Sequence, residues 1–142
     1  MAKRNDQTTH DSMVKYVADH VSRRGHSNIR ADIAGYTTPD LIYWGNSKHG
    51  HVPDVTSCDG SKYIFEVETA DSIADAHTVD QWRLFSSNAV QHAKKFIVVV
   101  PEGYHEQAWK RALQLSVKLE DVWVVGEITK GIRFKLKRYK FI

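Results

Sequence analysis

Cysteine is nearly absent from this sequence, which contains one, Cys58, among 142 residues. A single thiol cannot form a disulfide within the chain, so a disulfide-stabilised fold is excluded and an intracellular location is expected. No apolar run is long enough to cross a bilayer. The first residues, Met-Ala-Lys-Arg-Asn-Asp, lack the apolar stretch of a signal peptide. We therefore predict a cytoplasmic protein with no membrane partner.

Several common enzyme signatures are also missing. The sequence has no Gly-rich phosphate-binding loop, no nucleophile elbow and no His-Glu-x-x-His pair. His49, His51 and Cys58 lie close together along the chain, but their spacing matches no closed four-ligand zinc pattern. A zinc site and a catalytic cysteine are therefore not expected.

The composition is that of one globular domain spanning residues 1–142, with 42% hydrophobic and 26% charged residues. The charge is uneven, because residues 130–142 contain six basic residues and no acidic one, whereas the other 129 residues contain 14 basic and 17 acidic ones. A basic segment on an acidic body favours a polyanion as partner. Lysine and arginine would equally protect a solvated edge strand from aggregation, so both interpretations stay open.

Hydrophobic periodicity predicts an α/β fold in which helices flank a mixed central β-sheet. The predicted order is α-β-β-β-α-β-α-β plus a basic C-terminal strand, with residues 1–7 flexible. The first three strands are expected to form a meander, and the later strands to join through crossover connections. The predicted elements are a helix from Thr8 or Thr9 to Arg24, a strand over 27–34, a loop over 35–50, a β-hairpin over 51–69, a helix from Asp71 or Ser72 to Lys94, a strand over 96–100, a helix over 104–117, and strands over 122–128 and 132–137.

The two strands of the predicted hairpin contain three carboxylates. Residues 51–55 and 63–69 are predicted to form its two strands, joined by an Asp-Gly turn. Residues two apart on a strand share a face, so Glu66 and Glu68 point the same way, and pairing of the strands brings Asp54 beside them. Buried carboxylates require a positive partner. We therefore predict a hard divalent cation, Mg²⁺ or Mn²⁺, at these three side chains.

A Pro-Asp pair ending at Asp54, an eleven-residue spacer and Glu66-Val-Glu68 resemble the signature of the PD-(D/E)XK nuclease superfamily. The resemblance covers residues 8–128 through the order of elements. It implies a restriction endonuclease-like core and metal-dependent hydrolysis of DNA phosphodiesters, with Asp54, Glu66 and the backbone carbonyl of Val67 binding Mg²⁺. Glu68 departs from the family's usual lysine. It is expected to act as a general base or a second-metal ligand, or else to mark an inactive nuclease that still binds DNA.

Further site residues are expected by the same analogy. Some branches of the superfamily carry a glutamine on the helix after the hairpin, followed four residues later by an aromatic. Gln81 and Phe85 fit this spacing, although an ordinary exposed glutamine explains Gln81 equally well. Tyr43 and Trp44 are expected either to stack on bases or to anchor their loop. A homodimer is expected by analogy with junction resolvases and restriction enzymes. We predict DNA contacts from Lys48, His49, His51, Lys62, Arg133, Lys135 and Lys137.

Overall fold

The computed structural model describes the backbone of residues 2–45, 47, 49–130 and 136–142, and the side chains of residues 7–45, 47, 49–128 and 138–142. Three of the residues expected to contact DNA, Lys48, Arg133 and Lys135, lie outside the described residues, as does the side chain of Lys137. The roles expected of these four residues stay predictions.

The described residues form three helices and eight strands. The helices are α1 (Ala2–Arg23), α2 (Ala76–Gln91) and α3 (His105–Gln114). The strands are β1 (Ser27–Ala31), β2 (Ile42–Tyr43), β3 (Gly50–His51), β4 (Val55–Cys58), β5 (Lys62–Val67), β6 (Lys94–Pro101), β7 (Asp121–Lys130) and β8 (Leu136–Phe141).

One mixed sheet organises the molecule, with the described strands in the order β1-β4-β5-β6-β7-β8. β1, β4 and β5 form an antiparallel meander, and β8 pairs antiparallel with β7. β5, β6 and β7 are parallel and are connected through α2 and α3, as parallel strands need a crossover. The predicted α/β class, with a meander followed by parallel strands, is confirmed.

The centre of the sheet is buried on both faces. Successive residues of β5 alternate between two hydrophobic layers, so Ile64 packs in the layer that contains Trp82 and Phe96, whereas Phe65 packs with Val17 of α1. This burial on both faces explains the continuous apolar run of β6. By the same alternation, Glu66 projects into the layer that α2 covers.

The helix boundaries differ from the predicted ones. α1 begins at Ala2 rather than at Thr8 or Thr9. Within this helix Gln7 Nε2 donates to Asp11 Oδ1 one turn later at 2.9 Å. α2 begins at Ala76 because the side chain of Asp75 accepts a hydrogen bond from the backbone N–H of His77 and caps the helix.

The segment predicted as a loop over 35–50 contains strand structure. β2 pairs antiparallel with β3 in a separate sheet, with Ile42 opposite His51 and Tyr43 opposite Gly50. Gly50 is required there, because a Cβ would collide with the carbonyl oxygen of Ile42. The strand that was expected to start at His51 starts at Val55, so His51 belongs to the small hairpin. Strands of two residues carry no periodicity, which is why the pattern did not indicate them.

Candidate functional site

Three acidic side chains lie where β4 begins and β5 ends. Asp54, Glu66 and Glu68 are only 7%, 3% and 3% exposed. The backbone N–H of Asp54 donates to Glu66 Oε1 at 3.2 Å, and the backbone N–H of Val67 donates to Asp54 Oδ2 at 2.7 Å. The antiparallel pairing of β4 with β5 thus brings Asp54 into direct contact with Glu66 and Val67.

Glu68 follows β5 and is held by the segment that leads into α2. The indole Nε1 of Trp82 donates to Glu68 Oε2 at 2.8 Å, and the hydroxyl of Ser72 donates to Glu68 Oε1 at 2.7 Å. The backbone N–H of Thr69 donates in turn to Ser72 Oγ at 2.9 Å. Both oxygens of Glu68 therefore accept hydrogen bonds from the protein. The sequence pattern did not indicate that Trp82 and Ser72 are the donors.

His10 of α1 also enters the site. Its Nε2 lies 3.2 Å from Asp54 Oδ2, and its Nδ1 lies 3.4 Å from Asp11 Oδ1. The sequence analysis missed His10, although a signal was present. His10 precedes the buried residues Val14, Val17 and Val21 at helical spacing, so a polar residue occupies the first position of the buried stripe.

Burial is the largest cause of the raised pKa values of Glu66 and Glu68. It raises the pKa of Glu66 well above its usual range, and the charges of Asp54 and Glu68 raise it further. Burial also raises the pKa of Glu68 to about 7, although its two hydrogen-bond donors act in the opposite direction. Burial acts to lower the pKa of His10, but the hydrogen bond and the charge of Asp54 outweigh it and raise the pKa to about 9. At neutral pH, the proton on His10 therefore offsets part of the buried negative charge of Asp54.

The residues present fit a hard divalent cation at two carboxylates rather than at three. Among the residues that the structure describes, no group of three His, Cys, Asp or Glu side chains is arranged to hold a metal ion. Glu68 is turned toward Trp82 and Ser72. Asp54 and Glu66 are buried neighbours, and the burial that raises the pKa of Glu66 would be opposed by a cation bound to its carboxylate. They are the side chains that would hold Mg²⁺ or Mn²⁺.

The other expected site residues lie around this centre or away from it. Gln81 is half-buried on α2, directly before Trp82. His51 is directed to α2, where its Nε2 lies 2.7 Å from Asp80 Oδ2. His49 is exposed beside the β2–β3 hairpin, and Lys62 is exposed at the end of β5 opposite to Glu66. Their contacts with DNA stay predictions.

The sequence was compared with family models and with curated proteins. No family model matches the chain, and no curated protein matches it either. The structure defines an α/β protein with a mixed sheet and a buried acidic site where β4 begins and β5 ends. None of the helices that it describes has the length and apolarity needed to cross a bilayer.

Proposed function

We propose that this chain is a Mg²⁺- or Mn²⁺-dependent DNA endonuclease of the PD-(D/E)XK type. The observation that carries the proposal is the buried contact between Asp54 and Glu66 at the ends of two antiparallel strands. Buried acids in contact are costly unless they bind charge, so they are candidates for function rather than for stability. The order of α1, the β1-β4-β5 meander, α2 and parallel β6 agrees with the core that the resemblance implies.

In the proposed site, Asp54, Glu66 and the backbone carbonyl of Val67 hold the metal. When bound, a divalent cation supplies charge neutralisation for the phosphate and a water of lowered pKa. Glu68 is the general base: a group with a pKa of about 7 exchanges protons at neutral pH, as such a base must. A role as second-metal ligand would require Glu68 to leave its present hydrogen-bond donors.

Two neighbouring side chains position this machinery. Trp82 fixes the orientation of the Glu68 carboxylate through its indole N–H. Protonated His10 neutralises part of the charge on Asp54 and holds its Oδ2. Gln81, on the same turn of α2 as Trp82, is proposed to donate a hydrogen bond to a phosphate oxygen.

The identity of Glu68 and its hydrogen bonds favour a second function. A carboxylate replaces the family's usual lysine, and the protein already engages both of its oxygens. The alternative is a catalytically inactive protein of the nuclease fold that binds DNA or serves as an assembly subunit.

Cleavage assays separate the two functions. The wild type is incubated with supercoiled, linear, single-stranded and four-way-junction DNA in the presence of Mg²⁺, Mn²⁺ or EDTA. We expect cleavage with the metals, none with EDTA, and loss of cleavage in Glu66→Gln. The control is Glu106→Gln, the same substitution on the exposed surface of α3. A wild type that cleaves none of these substrates, but binds DNA in a salt-dependent manner, would establish the alternative.

The homodimer and the intracellular location belong to the same proposal. Two copies would supply two active sites for the two strands of a duplex. Sedimentation of the protein with and without duplex DNA tests the dimer, since a monomer in both conditions contradicts it.

A further inference from the structure

A cationic cavity lies on the same face of the sheet as Glu66, at the opposite end of β5. Its volume is about 210 Å³. Its lining includes Arg30 of β1, Lys62 of β5 and Lys94 of β6. Lys62, Ile64 and Glu66 alternate along β5 and therefore share a face, with Ile64 between the cationic and the acidic residue.

The positions of the two lysines in this cavity cost free energy of folding. Lys62 and Lys94 are direct partners in the parallel pairing of β5 with β6, and like charges opposite each other destabilise a sheet. Burial lowers the pKa of Lys94, and the charge of Lys62 lowers it further. Asn88 Oδ1 accepts one hydrogen bond from Lys94 at 2.8 Å, but it brings no negative charge.

Little negative charge offsets these cations. Among the described residues, the lining includes one carboxylate, Asp40, which is 3.4 Å from Arg30 Nη1 and has a side chain that is 93% exposed. Asn28, also in the lining, has a φ of 51°, where the register of β1 shifts between Ser27 and Arg30. Such a bulge at a sheet edge changes the direction of side chains and often lies beside a binding site.

The β2–β3 hairpin connects the cavity with the acidic site. Ile42 of β2 lines the cavity, and the chain leaves β3 at His51 to reach Asp54. Tyr43, the neighbour of Ile42, is 55% exposed, and Trp44 is also exposed. Exposed aromatic rings beside a cationic cavity are suited to a nucleic-acid strand, because bases stack on the rings while phosphates meet the cations.

We propose that the cavity formed by Arg30, Lys62 and Lys94 binds a backbone phosphate of a DNA strand that also reaches Asp54 and Glu66. The inference rests on the proposed function for the identity of its ligand. Lys62 and Glu66 are four residues apart on β5, about 13 Å at the rise of a strand. A single DNA strand covers that distance within a few nucleotides and would cross the hairpin at Tyr43.

Cys58 provides a direct reporter, because it lines the cavity and is the only cysteine of the chain. The rate at which its thiol reacts with a disulfide reagent is measured in EDTA, with and without a short single-stranded oligonucleotide. We expect saturating oligonucleotide to slow the reaction about tenfold, since a phosphate in the cavity would exclude the reagent. Inorganic phosphate and a mononucleotide are tested at the same phosphate concentration.

Binding of the same oligonucleotide is measured by fluorescence anisotropy as a function of salt, again in EDTA. Lys62→Gln is compared with Lys110→Gln, since both lysines are exposed and both variants lose one positive charge. We expect the dissociation constant of Lys62→Gln to rise about tenfold and its salt slope to fall by about 0.7, with Lys110→Gln close to wild type. Thermal unfolding establishes that both variants are folded.

Unchanged reactivity of Cys58 on DNA binding, or equal affinity of the two variants, overturns the proposal. Protection of Cys58 by inorganic phosphate or mononucleotide as strong as that by the oligonucleotide overturns the assignment to a DNA strand. Neither measurement involves cleavage. Protection without any cleavage therefore contradicts only the nuclease, whereas cleavage without protection contradicts only the cavity.

Discussion

Trp82 of α2 donates a 2.8 Å hydrogen bond from its indole Nε1 to Oε2 of Glu68, and both side chains are buried. This bond connects the helix to the end of β5. A buried carboxylate that loses a donor retains its desolvation cost, so the bond contributes to folding as well as to the orientation of Glu68.

Trp82→Phe should therefore lower the free energy of unfolding by about 1–3 kcal/mol, because the ring still packs but the donor is lost. Urea unfolding at about pH 8 measures the effect, since Glu68 is largely ionised there. Trp109→Phe is the control: Trp109 is exposed, and its N–H is directed to His105 on the same helix. Equal stability of the two variants would contradict the role given to Trp82.

The metal-free protein should become less stable as pH rises from about 5 to about 9. Glu68 has a folded pKa of about 7 against 4.5 when unfolded, so its contribution is complete below 4.5 and is lost as pH rises through 7. His10 has a folded pKa of about 9 against 6.5, so its contribution is complete below 6.5 and is lost as pH rises through 9. In both intervals the folded state binds more protons than the unfolded state.

Two variants test which residue causes the loss of stability in each pH interval. Their unfolding is measured in EDTA. Glu68→Gln should flatten the profile in its lower part, and His10→Asn in its upper part. His92→Asn is the control, because His92 is exposed at the end of α2. A profile of Glu68→Gln that falls between about pH 5 and pH 7 as steeply as that of the wild type would show that Glu68 does not bind a proton in the folded state, since the raised pKa of Glu66 contributes a fall of its own.

Glu66→Gln should be at least as stable as the wild type at about pH 8 without metal, since the amide replaces a carboxyl whose burial disfavours its charged form. If Mg²⁺ binds at Asp54 and Glu66, it should raise the Tm of the wild type but not that of this variant, because a neutral amide is a weaker ligand than a carboxylate. Calorimetry with and without Mg²⁺ measures both effects. Glu106→Gln should keep the metal-dependent rise, and a rise retained in Glu66→Gln would exclude this residue as a ligand.

The basic C-terminal strand calls for substitution rather than deletion. Phe141 of β8 packs against His20 and Trp123 with ring centroids 4.4 Å and 5.0 Å away, so truncation would remove part of the hydrophobic core. Arg138→Gln combined with Lys140→Gln removes two exposed charges. If these residues contact phosphates of duplex DNA, the salt slope of binding should fall by about 1.8 with little loss of stability. An unchanged slope would favour the interpretation of β8 as a protected edge strand.

Local patterns predicted the sheet but not the contacts that complete the site. The apolar run of β6, the alternation in β5 and the Asp-Gly turn are properties of neighbouring residues, and their positions agree with the structure. The contact of His10 with Asp54 joins residues 44 apart, and it depends on how α1 packs on the sheet. The pairing of Lys62 with Lys94 follows from the register of two parallel strands, which no local pattern specifies.

Helix α2 provides a hydrogen-bond partner for one residue of the acidic site and for one residue of the cationic cavity. Trp82 binds Glu68, and Asn88, further along the same helix, binds Lys94. These two helix positions are separated by about 9 Å at the rise of an α-helix. The strand β5, which carries Lys62 and Glu66, and the helix α2 are both continuous hydrogen-bonded elements, so the interval between the acidic site and the cationic cavity neither lengthens nor shortens as a loop does. A ligand that engages both sites must match that interval, whereas a shorter one reaches only one of them.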